Sequence, residues 1–293
     1  MDLLRSLLFV PGNRKDMLEK AVTRALSDAL VADMEDSVPD AEKSAAREII
    51  AEMLPALVAN GHKIVVRVNA LDTGILEEDM YAAISEHTYA VNVGKVENRW
   101  DVAQVDAIMS KIEKSKGMQV GTVKLVLFIE SALAIVNAYE LCSSSPRIVA
   151  VAFGAEDYTV DMGIERTEEG SEVLVPRATV AMAARAANVI ALDPVYANFQ
   201  DIDGFKVDAE LGKSLGYKGK FAIHPSQIEH INDVYSPSEE DIEYAKKVVA
   251  AFREAEEQGR GAVALDGKMI DVPVVKRAES LLNLADAIAN RGK

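Results

Sequence analysis

Short apolar, β-branched runs alternate with longer amphipathic stretches along the chain, and the alternation repeats about eight times before residue 230. The runs at 6–10, 29–33, 63–68, 89–94, 123–129, 148–153, 189–192 and 221–223 predict strands. Between them, apolar positions at helical spacing predict helices over 17–26, 41–59, 76–85, 102–114, 132–142, 176–187 and 204–215. A helix after each strand is the mark of parallel βαβ units, and eight such units predict a closed α/β architecture, a (β/α)₈ TIM barrel. A doubly wound open sheet is the rival. It favours a glycine-rich phosphate turn after the first strand, whereas residues 9–13 hold a single glycine, Gly12.

Local chemistry suggests several boundaries. Asp101 stands ahead of Val102, Val105, Ile108 and Ile112 as a helix start, and Pro176 suits a first helical turn. Beyond Pro237 the pattern changes: Ser238 and Asp241 resemble a capping box before a helix, Gln258-Gly259-Arg260-Gly261 ends it, and Asp266-Gly267 predicts a hairpin turn. A last helix is expected over 274–289. The chain thus reads as a barrel, 1–236, with a C-terminal helical extension, 237–293, acting as a lid or exchange arm.

Composition narrows the function classes. Of 293 residues, 49% are hydrophobic and 27% charged, the balance of a folded soluble protein. A net charge of -15 argues against nucleic-acid binding, which needs Lys and Arg to neutralise phosphates. No apolar run approaches the roughly 20 residues of a membrane helix, and the first residues lack a secretory signal, so no membrane partner and a cytoplasmic location are expected. The single cysteine, Cys142, continues an apolar helical pattern and is expected to be buried and inert.

In a barrel of this kind the strand C-termini and the loops after them form the active face. The expected strands run into Asp33-Met34-Glu35-Asp36, Arg67-Val68-Asn69, Lys95-Val96-Glu97, Glu130, Gly154-Ala155-Glu156-Asp157, Asp193 and His224. So many carboxylates on one mouth repel unless a cation joins them. Every donor is an oxygen, so Mg²⁺, or Mn²⁺, fits better than zinc, with Glu130 and Asp157 as the candidate ligands. Arg67 is suited to hold a carboxylate or an enolate oxygen, or else to pair with Glu35 or Asp36. Lys95 beside Glu97 is expected to stay charged and ion-paired rather than form a Schiff base.

The segments Arg5–Asn13, Asp33–Val38, Val66-Arg67-Val68-Asn69, Lys95-Val96-Glu97, Ile129-Glu130-Ser131-Ala132, Phe153-Gly154-Ala155-Glu156-Asp157-Tyr158 and Ala222–Gln227 together resemble the citrate lyase β-subunit-like group of CoA-ester lyases, within the HpcH/HpaI aldolase superfamily. The resemblance runs in order from residue 5 to about 285. It implies a homotrimeric or homohexameric, Mg²⁺-dependent barrel enzyme that cleaves or forms a carbon–carbon bond beside a CoA thioester. Malyl-CoA or citramalyl-CoA would be the substrate, and a 2-oxo acid a product. By resemblance Glu130 and Asp157 are the metal ligands. Arg67 faces the thioester and its enolate, with Glu35, Asp36 and Lys95 as further catalytic candidates. Arg14, with Phe9 and Pro11, meets the coenzyme, and Asp271 serves as acid or base in a neighbouring subunit's site. Two departures stand out: Gly94 where relatives commonly carry proline, and Ala32-Asp33-Met34-Glu35 where many read Leu-Asp-Leu-Glu. Three alternatives remain open: the acyl-cleaving subunit of a multi-protein citrate lyase with a carrier-bound thioester, a thioesterase, and a non-catalytic binding protein.

Overall fold

The computed structural model describes residues 3–24, 26–58, 61–167 and 169–291. Among them, β1 (Ser6–Pro11), β2 (Ala29–Asp33), β3 (Lys63–Val68), β4 (Ala90–Val93), β5 (Lys124–Ile129), β6 (Ile148–Phe153), β7 (Ile190–Asp193) and β8 (Gly219–Ala222) close into a parallel barrel in sequence order. The strands read as nearly unbroken apolar runs because both of their faces are covered. One face fills the barrel, with Leu7, Val31, Val65, Val126, Phe128 and Phe221 in a single cluster; residues such as Leu8, Leu30, Ile64 and Leu127 are buried on the alternate positions. The (β/α)₈ expectation is met. Register matters most near the strand C-termini, where Pro11 pairs with Asp33, Asp33 with Arg67, and Arg67 with Asn92. One row of the barrel therefore turns polar where the apolar packing ends.

The helices are α1 (Lys15–Arg24), α2 (Lys43–Val58), α3 (Leu76–Ala83), α4 (Arg99–Ser115), α5 (Ala132–Val136), α6 (Ala138–Cys142), α7 (Ala155–Met162), α8 (Ser171–Ala186), α9 (Ile202–Leu215) and α10 (Gln227–Val234). Ala25, within the first expected helix, and Ala59, the expected end of the second, lie outside the described residues. Several boundaries are corrected. Asn98, not Asp101, caps α4: the Asn98 side chain accepts from the Trp100 and Asp101 amides while Asp101 returns the bond to the Asn98 amide, a complete capping box. Pro176 lies inside α8, which begins at Ser171 because Val173 continues the buried stripe of Arg177, Val180 and Ala184. The expected helix over 132–142 breaks at Asn137, whose Nδ2 donates to the Glu97 carbonyl at 2.9 Å. Helix α7 was not expected at all; it starts directly after Gly154 with no polar cap to announce it.

Charge is buried beside the strands as well as at the mouth. Arg147, just before β6, donates to Glu113 at 2.7 Å and Asp106 at 2.6 Å, with the Arg147 and Glu113 side chains 3% and 0% exposed. Arg5 and Asp28 make a similar pair at 2.9 Å ahead of β1 and β2.

A second unit comprises Met1–Leu3 and Asn232–Lys293. Its α11 (Glu239–Glu257) opens on the expected Ser238–Asp241 capping box, and the hairpin of β9 (Val263–Leu265) and β10 (Lys268–Ile270) turns at Asp266 and Gly267, both with positive φ. Ile270 packs with Val248, Val249 and Phe252 of α11 and with Val275 and Ala278 of α12 (Val272–Ala289).

Replacing Arg147 by alanine strands the buried Glu113 carboxylate. Urea unfolding is expected to show a loss of about 3–5 kcal/mol. A loss below about 1 kcal/mol, the scale of an exposed ion pair, would contradict this reading.

Candidate active site

At the C-terminal end of β3, the Arg67 guanidinium forks onto Asp33, with Nε donating to Oδ1 at 2.7 Å and Nη2 to Oδ2 at 2.6 Å. Its Nη1 lies 3.0 Å from both Glu35 Oε2 and Asp36 Oδ2. The pairing with Glu35 or Asp36, the alternative to a role toward substrate, is therefore present with both residues, joined by the bidentate bond to Asp33. The guanidinium also sits 4.8 Å over the Phe9 ring, which stacks on Phe221 at 5.0 Å. Burial alone would raise the Asp33 pKa, yet the bonds and charge of Arg67, the Ser37 hydroxyl and the Glu35 amide hold it below the ordinary range.

The loop carrying these acids is pinned from outside. Lys43, buried at the start of α2, donates to the Met34 and Glu35 carbonyls at 3.1 and 2.9 Å. Asn69 donates to the Met34 carbonyl at 2.9 Å and is itself held by Asp79, which accepts from its amide and side chain. Lys43 and Asp79 were not singled out in the sequence. The signal was there: each is a charge on the buried stripe of its helix, Lys43 with Ala46 and Ile50, Asp79 with Leu76 and Met80.

Across the mouth, Glu130 directly follows β5 and is 7% exposed. Its Oε1 accepts the Lys95 amide at 2.7 Å, in a loop where Lys95 adopts a left-handed φ of 54°. Burial, then the charges of Asp157 and Glu35, push the Glu130 pKa up to about 8; the Lys95 amide and ammonium oppose this. Glu35, 7% exposed, is likewise pushed up to about 7, by burial first, with Asp36 and Asp33 adding to it against Arg67 and Lys95. The Lys95 ammonium lies 3.8 Å from Glu35 Oε1. Burial favours its neutral form, but Glu35, Asp157, Asp36 and Glu130 outweigh that and raise its pKa, which disfavours a Schiff-base role. Glu97, the partner expected for Lys95, instead accepts from Ser131 at 2.9 Å, with buried Val96 between the two.

Asp157 lies in the first turn of α7, half-buried, within electrostatic reach of both Glu130 and Lys95. Three further residues expected at the mouth have other partners. Asp193 is fully buried in a network with Arg177 at 2.7 Å and Lys220 at 2.7 Å, the two cations that Asp208 also accepts from; the buried Lys220 explains why β8 tolerates a lysine. Glu156 is exposed and 3.6 Å from Arg166. His224 follows β8, exposed, stacked on Phe199 at 4.8 Å with Nδ1 2.8 Å from the Ser226 hydroxyl. Arg14 is half exposed and paired with Asp16 at 3.0 Å, and its amide donates to the Pro11 carbonyl at 3.1 Å. Asp271 caps α12, accepting from the Val274 amide at 3.3 Å. Cys142 is buried and its thiol pushed up to about 12, as an inert cysteine requires.

The profile of the HpcH/HpaI aldolase/citrate lyase family matches residues 5–225. The chain belongs to this family. It is 39% identical to the citrate lyase subunit beta of Leuconostoc mesenteroides subsp. cremoris, over 97% of this chain and 94% of that protein. Identity to the L-malyl-CoA/beta-methylmalyl-CoA lyase of Cereibacter sphaeroides is 31%, over 97% and 95%. A crystal structure of protein CitE from Mycobacterium tuberculosis in complex with magnesium, acetoacetate and coenzyme A matches with a TM-score of 0.77 and 29% identity, covering 96% of this chain and 98% of that one. A citrate lyase structure from Burkholderia xenovorans LB400, with a TM-score of 0.86 at 19% identity over 99% and 93%, shares the fold.

In this member of the HpcH/HpaI aldolase/citrate lyase family the mouth suits a hard divalent cation. Its donors are oxygens, and two acidic side chains there hold raised pKa values that a cation would reverse. Among the described residues no three His, Cys, Asp or Glu side chains form a ready-made cage. Mg²⁺ typically binds through one or two carboxylates and leaves its other positions to water and substrate oxygens.

With its pKa pushed up to about 8, Glu130 would release a proton on taking up a cation at neutral pH. Calorimetric Mg²⁺ titrations at pH 7, in buffers of different ionisation enthalpy, are expected to report release of about one proton and an affinity rising up to about pH 8. The same raised pKa stabilises the metal-free fold below the ordinary carboxylate range, and that contribution is lost as pH rises through about 8, so the gap between melting curves with Mg²⁺ and with EDTA should widen with pH. Heats independent of the buffer would contradict this.

Proposed function

We propose that the chain is a Mg²⁺-dependent lyase that cleaves or forms a carbon–carbon bond in a β-hydroxyacyl-CoA thioester such as malyl-CoA or citramalyl-CoA. The products of cleavage are acetyl-CoA, or a homologue, and a 2-oxo acid. The observation that carries this reading is the division of one barrel mouth into two parts: a pair of acids, Glu130 and Asp157, on the β5–β6 side, and the Arg67 fork over an aromatic wall on the β1–β3 side. Glu130 and Asp157 would hold the cation. When bound, it polarises the substrate's carboxylate and hydroxyl oxygens and lowers the cost of the alkoxide.

In the cleavage direction, Glu35, whose raised pKa matches a proton acceptor at neutral pH, takes the hydroxyl proton. The electron pair of the breaking carbon–carbon bond moves into the thioester, and the enolate oxygen meets the positive charge of Arg67. Lys95 adds a second positive charge on that side, and Asp36 holds the Arg67 guanidinium in place through Nη1. Arg14, Phe9 and Pro11 contact the coenzyme. Asp271, carried by the 237–293 arm of a neighbouring subunit in a trimer or hexamer, delivers the proton to the enolate carbon. Cys142, buried and reduced, suits a cytoplasmic enzyme.

A second reading has its own support in the 39% identity to a citrate lyase subunit beta. There the thioester sits on a carrier protein, and the chain works within a complex.

Incubation with malyl-CoA and citramalyl-CoA in Mg²⁺ is expected to yield acetyl-CoA with glyoxylate or pyruvate, and EDTA to stop it. Glu130→Gln should slow turnover by roughly a thousandfold, equivalent to about 4 kcal/mol of barrier. Asp271→Ala should impair proton transfer while leaving Mg²⁺ affinity unchanged. Thioester loss that ignores EDTA would overturn the lyase reading, free malate without glyoxylate would mark a thioesterase, and activity confined to a carrier-bound citryl ester would favour the second reading.

A further inference from the structure

The loop after β4 grips the segment that carries Glu130 at three points. The Lys95 amide donates to Glu130 Oε1 at 2.7 Å. Two residues on, Glu97 Oε1 accepts the hydroxyl of Ser131, the residue directly after Glu130, at 2.9 Å, and the Glu97 carbonyl accepts Asn137 Nδ2 at 2.9 Å where α5 gives way to α6. The same Ser131 oxygen accepts the Ala134 amide at 3.1 Å, so it caps α5 while it donates to Glu97. Glu97 is itself held. Its amide donates to Asp101 Oδ2 at 2.9 Å, a partner in the capping box of α4, and the neighbouring Val96 is fully buried. Lys95 takes a left-handed φ of 54°, a conformation that a non-glycine residue keeps only where its surroundings impose it. The loop is thus a bracket standing on the first turn of α4, and Glu97 is the side chain it extends to the end of β5.

We propose that Glu97 is a positioning residue for Glu130: its bond to Ser131 fixes the backbone turn from β5 into α5, and with it the place from which the Glu130 carboxylate reaches a divalent cation. Glu97 acts through the hydrogen bond it accepts, not through its charge, which distinguishes it from an acid that merely attracts the cation. This rests on the metal reading above, and Glu130→Gln tests that reading by itself. Mn²⁺ affinity is measured by electron paramagnetic resonance on the intact protein, with thermal melting as a check on folding. Glu130→Gln should abolish tight binding. Glu97→Ala should weaken it roughly tenfold, the scale for residues that orient a metal ligand. Glu97→Gln keeps an oxygen that can accept from Ser131 and should stay within about twofold of wild type. Ser131→Ala removes the same bond and should also weaken binding, and adding Glu97→Ala to it should cost nothing further. If Glu97→Ala fails to fold, the contrast between Glu97→Gln and Ser131→Ala carries the same test. Glu97→Gln binding as weakly as Glu97→Ala, Ser131→Ala binding like wild type, or an equal penalty from Glu97→Ala with and without the Ser131 hydroxyl overturns the positioning role alone. A Glu130→Gln variant that binds like wild type overturns the metal reading, and the role of Glu97 with it.

Discussion

Several carboxyl groups are gathered at one end of an apolar barrel, and most of the site's structure is an answer to that electrostatic cost. Taking a charge out of water is unfavourable, and like charges at close range add to it. The chain resolves the problem differently on its two sides. On the β1–β3 side Arg67 supplies a permanent counter-charge, so Asp33 stays ionised in spite of burial. On the β5–β6 side Glu130 has a backbone amide and a more distant ammonium, and its raised pKa records the charge still missing. One mouth thus holds acids shifted in opposite directions, Asp33 downward and Glu35 and Glu130 upward, an arrangement suited to separating charge and moving protons.

The barrel makes this possible through register. Inward positions are apolar until the last row, where Asp33, Arg67 and Asn92 fall on neighbouring strands. Below that row Phe9 stacks on Phe221, which Phe128 meets at a tilt, and Phe9 gives the guanidinium a flat surface. Outside it, Lys43 and the Asn69–Asp79 pair fix the acid-bearing loop, so that the side chains at the mouth are held by rigid elements.

Much of this was legible in the sequence. Strands buried on two faces give unbroken apolar runs, so the eight strands and the polar residues ending them could be located by pattern, most within one or two residues. Grouping Glu130, Asp157, Glu35, Asp36 and Lys95 at one mouth followed from the strand ends. Side-chain direction was harder. Asp193 ends β7 as a mouth residue would, but its carboxylate lies in a buried network with Arg177, Asp208 and the Lys220 of β8, because alternate positions of a strand face opposite sides of the sheet. The partner of Lys95 was misread because sequence neighbours need not face each other: a left-handed residue turns the chain, and Glu35, from another strand, is nearer than Glu97. Helix α7 escaped notice because it follows its strand without a loop.

Anomalous diffraction from crystals soaked in Mn²⁺ tests the central claim most directly. A single peak within coordinating distance of both the Glu130 and Asp157 carboxylates, on the side facing Arg67, is the expected result. A peak bound elsewhere, or one touching neither carboxylate, would contradict it.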